Sequence, residues 1–169
     1  GYTAMMQEDE QHAKKLRDRH RTVLENVTLD HQGKIIQYFG DGTLTIFGSA
    51  VEAVLCAISI QIELQKDPKV NLRIGIHSGD IVYDDDGIFG DCVNVASRIE
   101  ATAIGGSVLI SRKVCEELSN HKEISTVSLG FHQFKNVKTP IEVFAVKNNN
   151  LNVPETSTIN TLVGVNKES

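Results

Sequence analysis

Two strand-like runs meet at a tight turn in the segment KIIQYFGDGTLTIF, residues 34–47. An Asp-Gly pair between such runs is the strongest short-range signal for a β-hairpin, because glycine accepts a positive φ angle. Asp41, at the tip, has two interpretations: it serves the turn alone, or it is a carboxylate held at the tip to bind a metal ion. The stretch by itself favours the turn, and the choice between the two interpretations depends on motifs elsewhere in the chain.

Length, charge and cysteine content narrow the class of protein. The chain has 169 residues, which suits one domain with a full core. Its formal net charge of −5 argues against nucleic acid as the main partner, because phosphate backbones require a basic face. No apolar run is long enough to cross a membrane, and the three cysteines form no CxxC pair. We therefore expect a cytoplasmic domain, although the full-length protein can still be attached to a membrane.

Hydrophobic periodicity predicts alternating helices and strands. The predicted elements are a helix over 7–30, the hairpin over 34–47, a helix over 49–64, a strand over 71–83, a helix over 91–101, a strand over 107–110, a helix over 112–118, and strands over 123–134 and 141–146. This order predicts an α+β or α/β sandwich in which helices cover a mostly antiparallel sheet.

The residues at each end of the chain lead to a prediction about domain organisation. A ferredoxin-like βαββαβ core would begin with a strand, and none precedes the first predicted helix. We therefore expect the first strand to be missing and the natural protein to extend upstream. The polar segment 147–169 is rich in Asn, Ser and Thr, so it is predicted to be a tail or linker, which leaves 1–146 as the domain.

The stretch FGDCVNVASRIE, residues 89–100, is the second informative segment. On a helix that begins near Asp91, Asn94 and Arg98 are spaced i, i+4 and share a face. An arginine on a helix is usually solvated or ion-paired, but an asparagine in mid-helix competes with the backbone for hydrogen bonds. Beside small residues, the pair indicates a ligand, with an amide for a sugar oxygen and a guanidinium for a phosphate.

Five motifs occur in order along residues 1–146: GYT, GDG, LRIGIHSGDI, FGDCVNVASRIE and FKNVKTPIEVF. Together they resemble the catalytic domain of the class III nucleotidyl cyclases, the adenylate and guanylate cyclase family. The resemblance implies that a ribose 3′-hydroxyl attacks the α-phosphorus of a nucleoside triphosphate in line, and that pyrophosphate leaves. It also implies two divalent cations per site, Mg²⁺ or Mn²⁺, held by two aspartates. One of these is Asp41; the other lies, in the family, in a strand just before GYT, so we expect weak metal binding by this chain alone.

The resemblance implies roles for further residues. Asn94 would orient the ribose, and Arg98 would stabilise charge on the reacting phosphate. Lys135, in the motif FKN, would hold the terminal phosphates. Tyr2 and Thr3, in the motif GYT, would lie beside the triphosphate.

The chain departs from the family pattern where the purine base is read. Adenylate cyclases usually carry a lysine four residues before the metal-binding aspartate, paired with a later Asp or Thr, and guanylate cyclases typically carry Glu and Cys. This chain has Gln37 and Gly87 at these positions. Glutamine both donates and accepts hydrogen bonds, and glycine offers no side chain, so we expect weak base selectivity. Adenine is the predicted base, because bacterial-looking members of the family are mostly adenylate cyclases.

The resemblance also implies a head-to-tail homodimer, in which the metal-binding aspartates come from one chain and Asn94, Arg98 and Lys135 come from the other. An upstream sensor or membrane domain could set the geometry of that dimer.

The predicted function is therefore an adenylate cyclase that takes ATP. The alternatives are a guanylate cyclase, a degenerate regulatory or nucleotide-binding domain, and a palm-like enzyme such as a diguanylate cyclase or polymerase domain. The last class carries paired acidic residues in its central hairpin, whereas this hairpin has only Asp41.

Overall fold

The computed structural model describes residues 2–39, 42–148 and 151–155. Its helices are α1 Tyr2–Asp30, α2 Ala50–Gln65, α3 Asp91–Ala101 and α4 Arg112–Glu117. Its strands are β1 Lys34–Phe39, β2 Gly42–Ile46, β3 Arg73–Ile76, β4 Val82–Asp84, β5 Gly87–Phe89, β6 Ser107–Ser111, β7 Thr126–His132 and β8 Ile141–Val146. The predicted bounds of α3 and β8 are confirmed, and α1 begins five residues before its predicted start.

Four strands form the main sheet in the order β3-β6-β8-β7. The β3–β6 pair is parallel, and the β6–β8 and β7–β8 pairs are antiparallel. The strands β1–β2 and β4–β5 form two separate antiparallel hairpins. The prediction of an α+β fold with a mostly antiparallel sheet is confirmed.

Helices cover both faces of the main sheet. Along β6, Val108 and Ile110 join a cluster with α2 and α4, whereas Leu109 joins a cluster with α3. Strand side chains alternate between faces, so β6 separates two cores and is buried along its whole length. A third cluster packs Leu24 of α1 against Ile60 of α2 and its neighbours. Each large apolar side chain buried in this way contributes about 1.5–3 kcal/mol before entropy is counted.

The two ends of α2 are fixed by specific hydrogen bonds. Ser49 caps the first turn, because its side chain accepts a bond from the backbone N–H of Glu52. At the other end, Arg19 of α1 donates to the backbone oxygens of Glu63, Lys66 and Pro68 at 2.7, 3.2 and 3.0 Å. The Lys66 and Pro68 oxygens lie at and beyond the C-cap of α2, and the Glu63 oxygen also accepts from the backbone N–H of Lys66. None of the helices in the described residues is long and apolar enough to cross a membrane.

The predicted strand over 71–83 is confirmed only in part, because β3 covers 73–76, β4 begins at 82, and residues 77–81 between them form no strand. The chain leaves the main sheet after Ile76 and forms the separate hairpin β4–β5 instead. The hairpin turn is held by Asp84, whose Oδ1 accepts a bond of 2.8 Å from the backbone N–H of Asp86. The interruption itself lies earlier, where His77 contacts Ser111 and Ser78 donates to Glu117, and an alternation of apolar residues does not encode such side-chain contacts.

The beginning of the segment predicted to be a tail packs on the domain. Leu151 is buried in the cluster of α2, α4 and β6. Asn152 donates from its side chain to the backbone oxygen of Gly105 and from its backbone to that of Gly106. A single apolar residue among asparagines was the only sequence signal for this contact. Residues 149, 150 and 156–169 lie outside the described residues, and the boundary at 146 stays a prediction.

Candidate functional site

Helix α3 lies unusually close to strand β3. A Cβ atom added to Gly75 would lie 2.4 Å from the backbone nitrogen of Glu100 and 2.8 Å from the backbone oxygen of Ala96. No larger residue fits there without displacing the helix, so Gly75 sets the distance between α3 and the sheet. On the core side, Val95 and Ile99 are buried and hold the helix in place.

Asn94 and Arg98 are half-buried on the helix that this packing fixes. The Nε atom of Arg98 is buried and has no hydrogen-bond partner within the described part of the chain. A buried polar group without a partner costs about 1–3 kcal/mol, and more when it is charged. The guanidinium is always charged and matches the geometry of phosphate oxygens. The structure therefore leaves Arg98 with binding capacity that an anionic ligand would satisfy.

Lys135 lies in the turn between β7 and β8, with its side chain exposed. Phe134, immediately before it, is buried in the same cluster as Val95 and Ile99 of α3. The turn is closed by a 2.6 Å bond from Gln133 Nε2 to the backbone oxygen of Val137. The turn of Lys135 and the helix of Asn94 and Arg98 are therefore anchored in one core, which fixes their relative positions.

A β-bulge determines which face of β1 carries Gln37. The register pairs Lys34 with Ile46 and Gln37 with Leu44, and it shifts between Ile35 and Gln37. Because Ile46 and Leu44 lie on one face of β2, Lys34 and Gln37 also share a face, which their spacing of three would not allow in a regular strand. Gln37 is exposed there.

The same face of β1 lies beside the hairpin that carries Gly87. Lys34 Nζ donates a 2.9 Å hydrogen bond to the hydroxyl of Tyr83 in β4 and lies 4.9 Å from the centre of its ring. Tyr83 pairs with Ile88, the residue after Gly87. The structure thus places the strand of Gln37 next to the hairpin of Gly87. The lysine–tyrosine contact was not predicted; a cation on one strand and an aromatic residue on another give no signal of pairing in sequence.

Gly87 has a φ angle of +130°, a conformation that residues with side chains rarely adopt. The nearby Asp84 carboxylate is engaged by the turn itself. The backbone at position 87 is therefore shaped for glycine, and the absence of a side chain there is part of the local geometry.

Several predicted site residues fall where the structure gives no side chain. Asp41 lies outside the described residues. Tyr2 and Thr3 belong to the first turn of α1, and their side chains also lie outside the described residues. Strand pairing of Phe39 with Gly42 confirms the hairpin around residue 41.

Within the described residues, no group of three or more His, Cys, Asp or Glu side chains could hold a metal ion. The described residues of one chain therefore do not assemble a metal site, and Asp41 as a ligand stays a prediction.

Two residues beside the site have structural contacts. Arg73 is paired with Glu100 of α3 at 3.3 Å. His77 Nδ1 lies 2.7 Å from Ser111 Oγ, and burial lowers the pKa of His77, with the nearby Lys113 adding to the effect. These contacts give Arg73 and His77 structural roles.

Comparison with known proteins gives evidence that is independent of this geometry. Residues 1–148 match the family described as the adenylate and guanylate cyclase catalytic domain. A Rhizobium meliloti protein named "Putative adenylate cyclase 3" is 40% identical over 152 residues, which cover 85% of this chain. The chain spans only 26% of the length of that relative.

Solved structures give the same result. The crystal structure of an adenylate/guanylate cyclase/hydrolase from Silicibacter pomeroyi is 33% identical, with a TM-score of 0.73 over 88% of this chain and 91% of that one. Adenylate cyclases from Trypanosoma brucei in their monomeric state share the fold, with a TM-score of 0.79 at 20% identity over 92% of this chain and 87% of that one.

Proposed function

The chain belongs to the adenylate and guanylate cyclase catalytic domain family, and from this premise we propose that it is an adenylate cyclase, which converts ATP to 3′,5′-cyclic AMP and pyrophosphate. The observation that carries the proposal is the state of Arg98, whose buried Nε lacks a hydrogen-bond partner in the described residues. Neighbouring positions of the same helix are buried in the core and hold Arg98 in place. The choice of ATP rests on the name of the Rhizobium meliloti relative and on no residue of the base site.

The reaction forms one bond and breaks one. The ribose 3′-oxygen bonds to the α-phosphorus, the bond to the bridging oxygen breaks, and pyrophosphate leaves with the electron pair. The hydroxyl proton passes to solvent. Arg98 would hold the negative charge that moves onto the phosphate oxygens, and Asn94, one helical turn away, would orient the ribose. A positioned arginine contributes about 10³–10⁵ in rate in other phosphoryl-transfer enzymes.

Lys135 and Asp41 complete the proposed site. The exposed ammonium of Lys135, on a turn held rigid by Phe134, would bind the terminal phosphates. Asp41 is the metal ligand that this chain would supply. Two divalent cations, Mg²⁺ or Mn²⁺, would when bound neutralise charge on the triphosphate and favour ionisation of the 3′-hydroxyl.

We further propose that the site is shared between two copies of the chain. The hairpin around residue 41 presents two exposed aromatic side chains, Tyr38 at 37% and Phe39 at 52% exposure. Exposed aromatic residues are typical of interfaces. In the proposed homodimer, Asp41 of one subunit would serve the same substrate as Asn94, Arg98 and Lys135 of its partner.

Two alternatives rest on the base site. A guanylate cyclase would use the same chemistry, and Gln37 can hydrogen-bond to either purine edge after rotation of its amide. A regulatory domain that binds nucleotide without turnover is favoured by the unusual pair of Gln37 and Gly87. Retention of Asn94, Arg98 and Lys135 together argues for an active enzyme.

One experiment separates these alternatives. The full-length protein that contains this chain is incubated with ATP or GTP and Mn²⁺, and the cyclic products are identified by mass spectrometry. Cyclic AMP is expected, and its loss in Arg98→Ala but not in Arg112→Ala would assign the activity to this site. Arg112 is a suitable control because it is an exposed arginine with its own ion pairs to Glu116 and Glu142. Cyclic GMP would reverse the base assignment, and nucleotide binding without product would support the regulatory domain.

A further inference from the structure

The hairpin that carries Gln37 depends on side-chain contacts for its position. Strands β1 and β2 form a two-stranded sheet of their own, and within the described residues no strand pairing joins them to the main sheet. A two-stranded hairpin by itself is marginally stable in water. The placement of Gln37 is therefore set by the groups that pack against β1.

Tyr38, the residue after Gln37, is held by two side chains of α1. Its hydroxyl donates a 2.9 Å hydrogen bond to Glu25 Oε1, and Arg21 Cζ lies 4.7 Å from the centre of its ring. Arg21 and Glu25 are spaced i, i+4, so they lie on one face of the helix. Partial burial raises the pKa of Tyr38 and the bond to Glu25 raises it further, so the hydroxyl remains a donor at neutral pH. These three residues form the Tyr38 clamp.

The helix side of the clamp is anchored in the core. Leu24 lies between Arg21 and Glu25 along α1, is buried, and packs in one cluster with Ile60 of α2. Ile35 of β1 packs against the same cluster. The clamp therefore fixes β1 to a part of α1 that the core already holds in place.

The pairing of β1 with β2 shows which way Gln37 lies relative to the clamp. Ile35 and Tyr38 pair with Thr45 and Thr43, which lie on one face of β2, so both point toward α1. Gln37 therefore lies on the opposite face. The bulge is located between Ile35 and Gln37, and a shift of the bulge past Gln37 would turn its side chain to the α1 face. Contact of Tyr38 with α1 opposes that shift.

We propose that the Tyr38 clamp positions Gln37 for recognition of the purine base. Arg21 and Glu25 are positioning residues: they act through Tyr38, and Gln37 makes the contact with the base. The contact of Lys34 with the β4–β5 hairpin lies on the same face as Gln37, so β1 is held from both sides. The inference rests on the proposed function, because it takes Gln37 as part of the base site. The ring of Tyr38 stays 37% exposed, which leaves it accessible for the proposed dimer contact.

The test measures nucleotide binding without turnover. The full-length protein that contains this chain is titrated with 3′-deoxy-ATP and 3′-deoxy-GTP in the presence of Mn²⁺, by isothermal titration calorimetry. Neither nucleotide has the attacking hydroxyl, so neither can be cyclised. The double variant Arg21→Ala/Glu25→Ala is expected to bind the preferred nucleotide about 10-fold more weakly than the wild type, because the hydrogen bond from Gln37 to the base is lost.

A second pair of proteins shows whether this effect passes through Gln37. In the Gln37→Ala background, the affinity is expected to be the same with and without the clamp. Equal weakening in both backgrounds would overturn the proposal, because it would indicate a general structural role. Arg21→Lys/Glu25→Gln keeps a cation for the ring and an acceptor for the hydroxyl, so it is expected to retain most of the affinity. The matched control is Lys14→Ala/Asp18→Ala, which removes two exposed opposite charges at the same spacing on α1 and is expected to leave binding unchanged.

Hydrogen–deuterium exchange of the same proteins without nucleotide measures the hairpin directly. The amides of 34–39 are expected to exchange about 3-fold faster or more in Arg21→Ala/Glu25→Ala, with those of α2 unchanged. Unchanged exchange in the hairpin would overturn the proposal, and so would a wild type that binds neither nucleotide. A wild type that binds 3′-deoxy-ATP but makes no cyclic product from ATP would refute the proposed activity alone, and the measured affinities would still decide the role of the clamp.

Discussion

Lys34 Nζ lies 2.9 Å from the hydroxyl of Tyr83 and 4.9 Å from the centre of its ring, so one side chain joins two hairpins that share no strand pairing. The first hairpin carries Gln37 and the second carries Gly87, the two positions at which the chain departs from the base-reading pattern of its family. A bulge in β1 is needed for this arrangement, because it turns Lys34 and Gln37 to one face.

Gln37→Lys is predicted to increase the preference for ATP over GTP. A lysine at this position can only donate, which suits the acceptors of adenine, whereas glutamine accommodates either base. A gained or lost base-reading hydrogen bond is worth about 1–3 kcal/mol, so the ratio of kcat/KM values for the two nucleotides is expected to change by about 10-fold or more. Steady-state kinetics with both nucleotides measures this ratio, and an unchanged ratio would remove Gln37 from the base site.

Gly87→Asp, which introduces one of the two residues that adenylate cyclases usually carry there, is predicted to lower stability and not to restore selectivity. The φ angle of +130° would force a side chain into strained backbone, at a cost of about 1–3 kcal/mol. Urea denaturation measures the stability. Gly48→Ala is a suitable control, because an added Cβ there meets no atom within 4 Å and no positive φ is involved.

Arg98→Ala is predicted to reduce kcat about 10³-fold or more with a much smaller change in KM, since the guanidinium acts on charge that develops during the reaction. The unfolding free energy is expected to stay the same or to rise, because the buried Nε without a partner is removed. Arg98→Lys should recover only part of the rate, because a lysine cannot bind phosphate in a bidentate way. Wild-type kcat in Arg98→Ala would contradict the site.

Mixing two inactive variants tests the shared site. Asp41→Asn and Arg98→Ala are each expected to be inactive as homodimers. In a heterodimer, one of the two sites would receive an intact Asp41 from one subunit and an intact Arg98 from the other. Activity up to about a quarter of the wild-type level is therefore expected after random mixing, given that half of the dimers would be mixed and each would have one working site. No recovery, with mixed dimers demonstrated by tagged subunits, would place both residues in one subunit's site.

Sequence reasoning succeeded where a local pattern determines the structure. The hairpin around residue 41, the bounds of α3 and the mostly antiparallel sheet follow from turn residues and apolar periodicity, which act over a few positions. The pair Asn94 and Arg98 was predictable for the same reason, since helical spacing alone puts both on one face. The common anchor of Arg98 and Lys135 in one cluster was not predictable, because Phe134 and Ile99 meet only through tertiary packing.

The failures have two physical causes. The strand predicted over 71–83 is interrupted after Ile76 because His77 and Ser78 make side-chain contacts with Ser111 and Glu117, which apolar alternation does not encode. The packing of Leu151 was missed because one apolar residue in a polar segment is buried only if a distant surface receives it. Both are cases in which a tertiary or side-chain contact overrides local propensity.

Arg19→Ala is predicted to lower the unfolding free energy by about 1–3 kcal/mol, because three backbone oxygens at the end of α2 would lose a charged donor. The interaction also opposes the negative end of the helix dipole. Arg17→Ala, an exposed residue on the same helix, is the control and is expected to change stability by at most about 0.5 kcal/mol. Equal effects of the two substitutions in chemical denaturation would show that the cap contributes nothing.

The burial of His132 predicts that the folded protein loses stability in mild acid. The ring is 1% exposed, its Nε2 donates to the backbone oxygen of Leu129 at 3.1 Å, and its Nδ1 has no partner within the described residues. Burial therefore lowers the pKa of His132 below its ordinary 6.5, against an opposing effect of the Leu129 bond. The unfolded chain then binds a proton more readily than the folded one, so the free energy of unfolding falls as the pH drops below about 6.5 and is unaffected by this group above it.

His132→Gln keeps a donor for Leu129 without a titrating ring, and urea denaturation at pH 7.5 and 5.5 should show a smaller loss of stability between the two pH values than in the wild type. The loss that remains is expected to include His77, whose pKa is also lowered. An equal loss in His132→Gln and the wild type would exclude His132 as a source of the acid sensitivity.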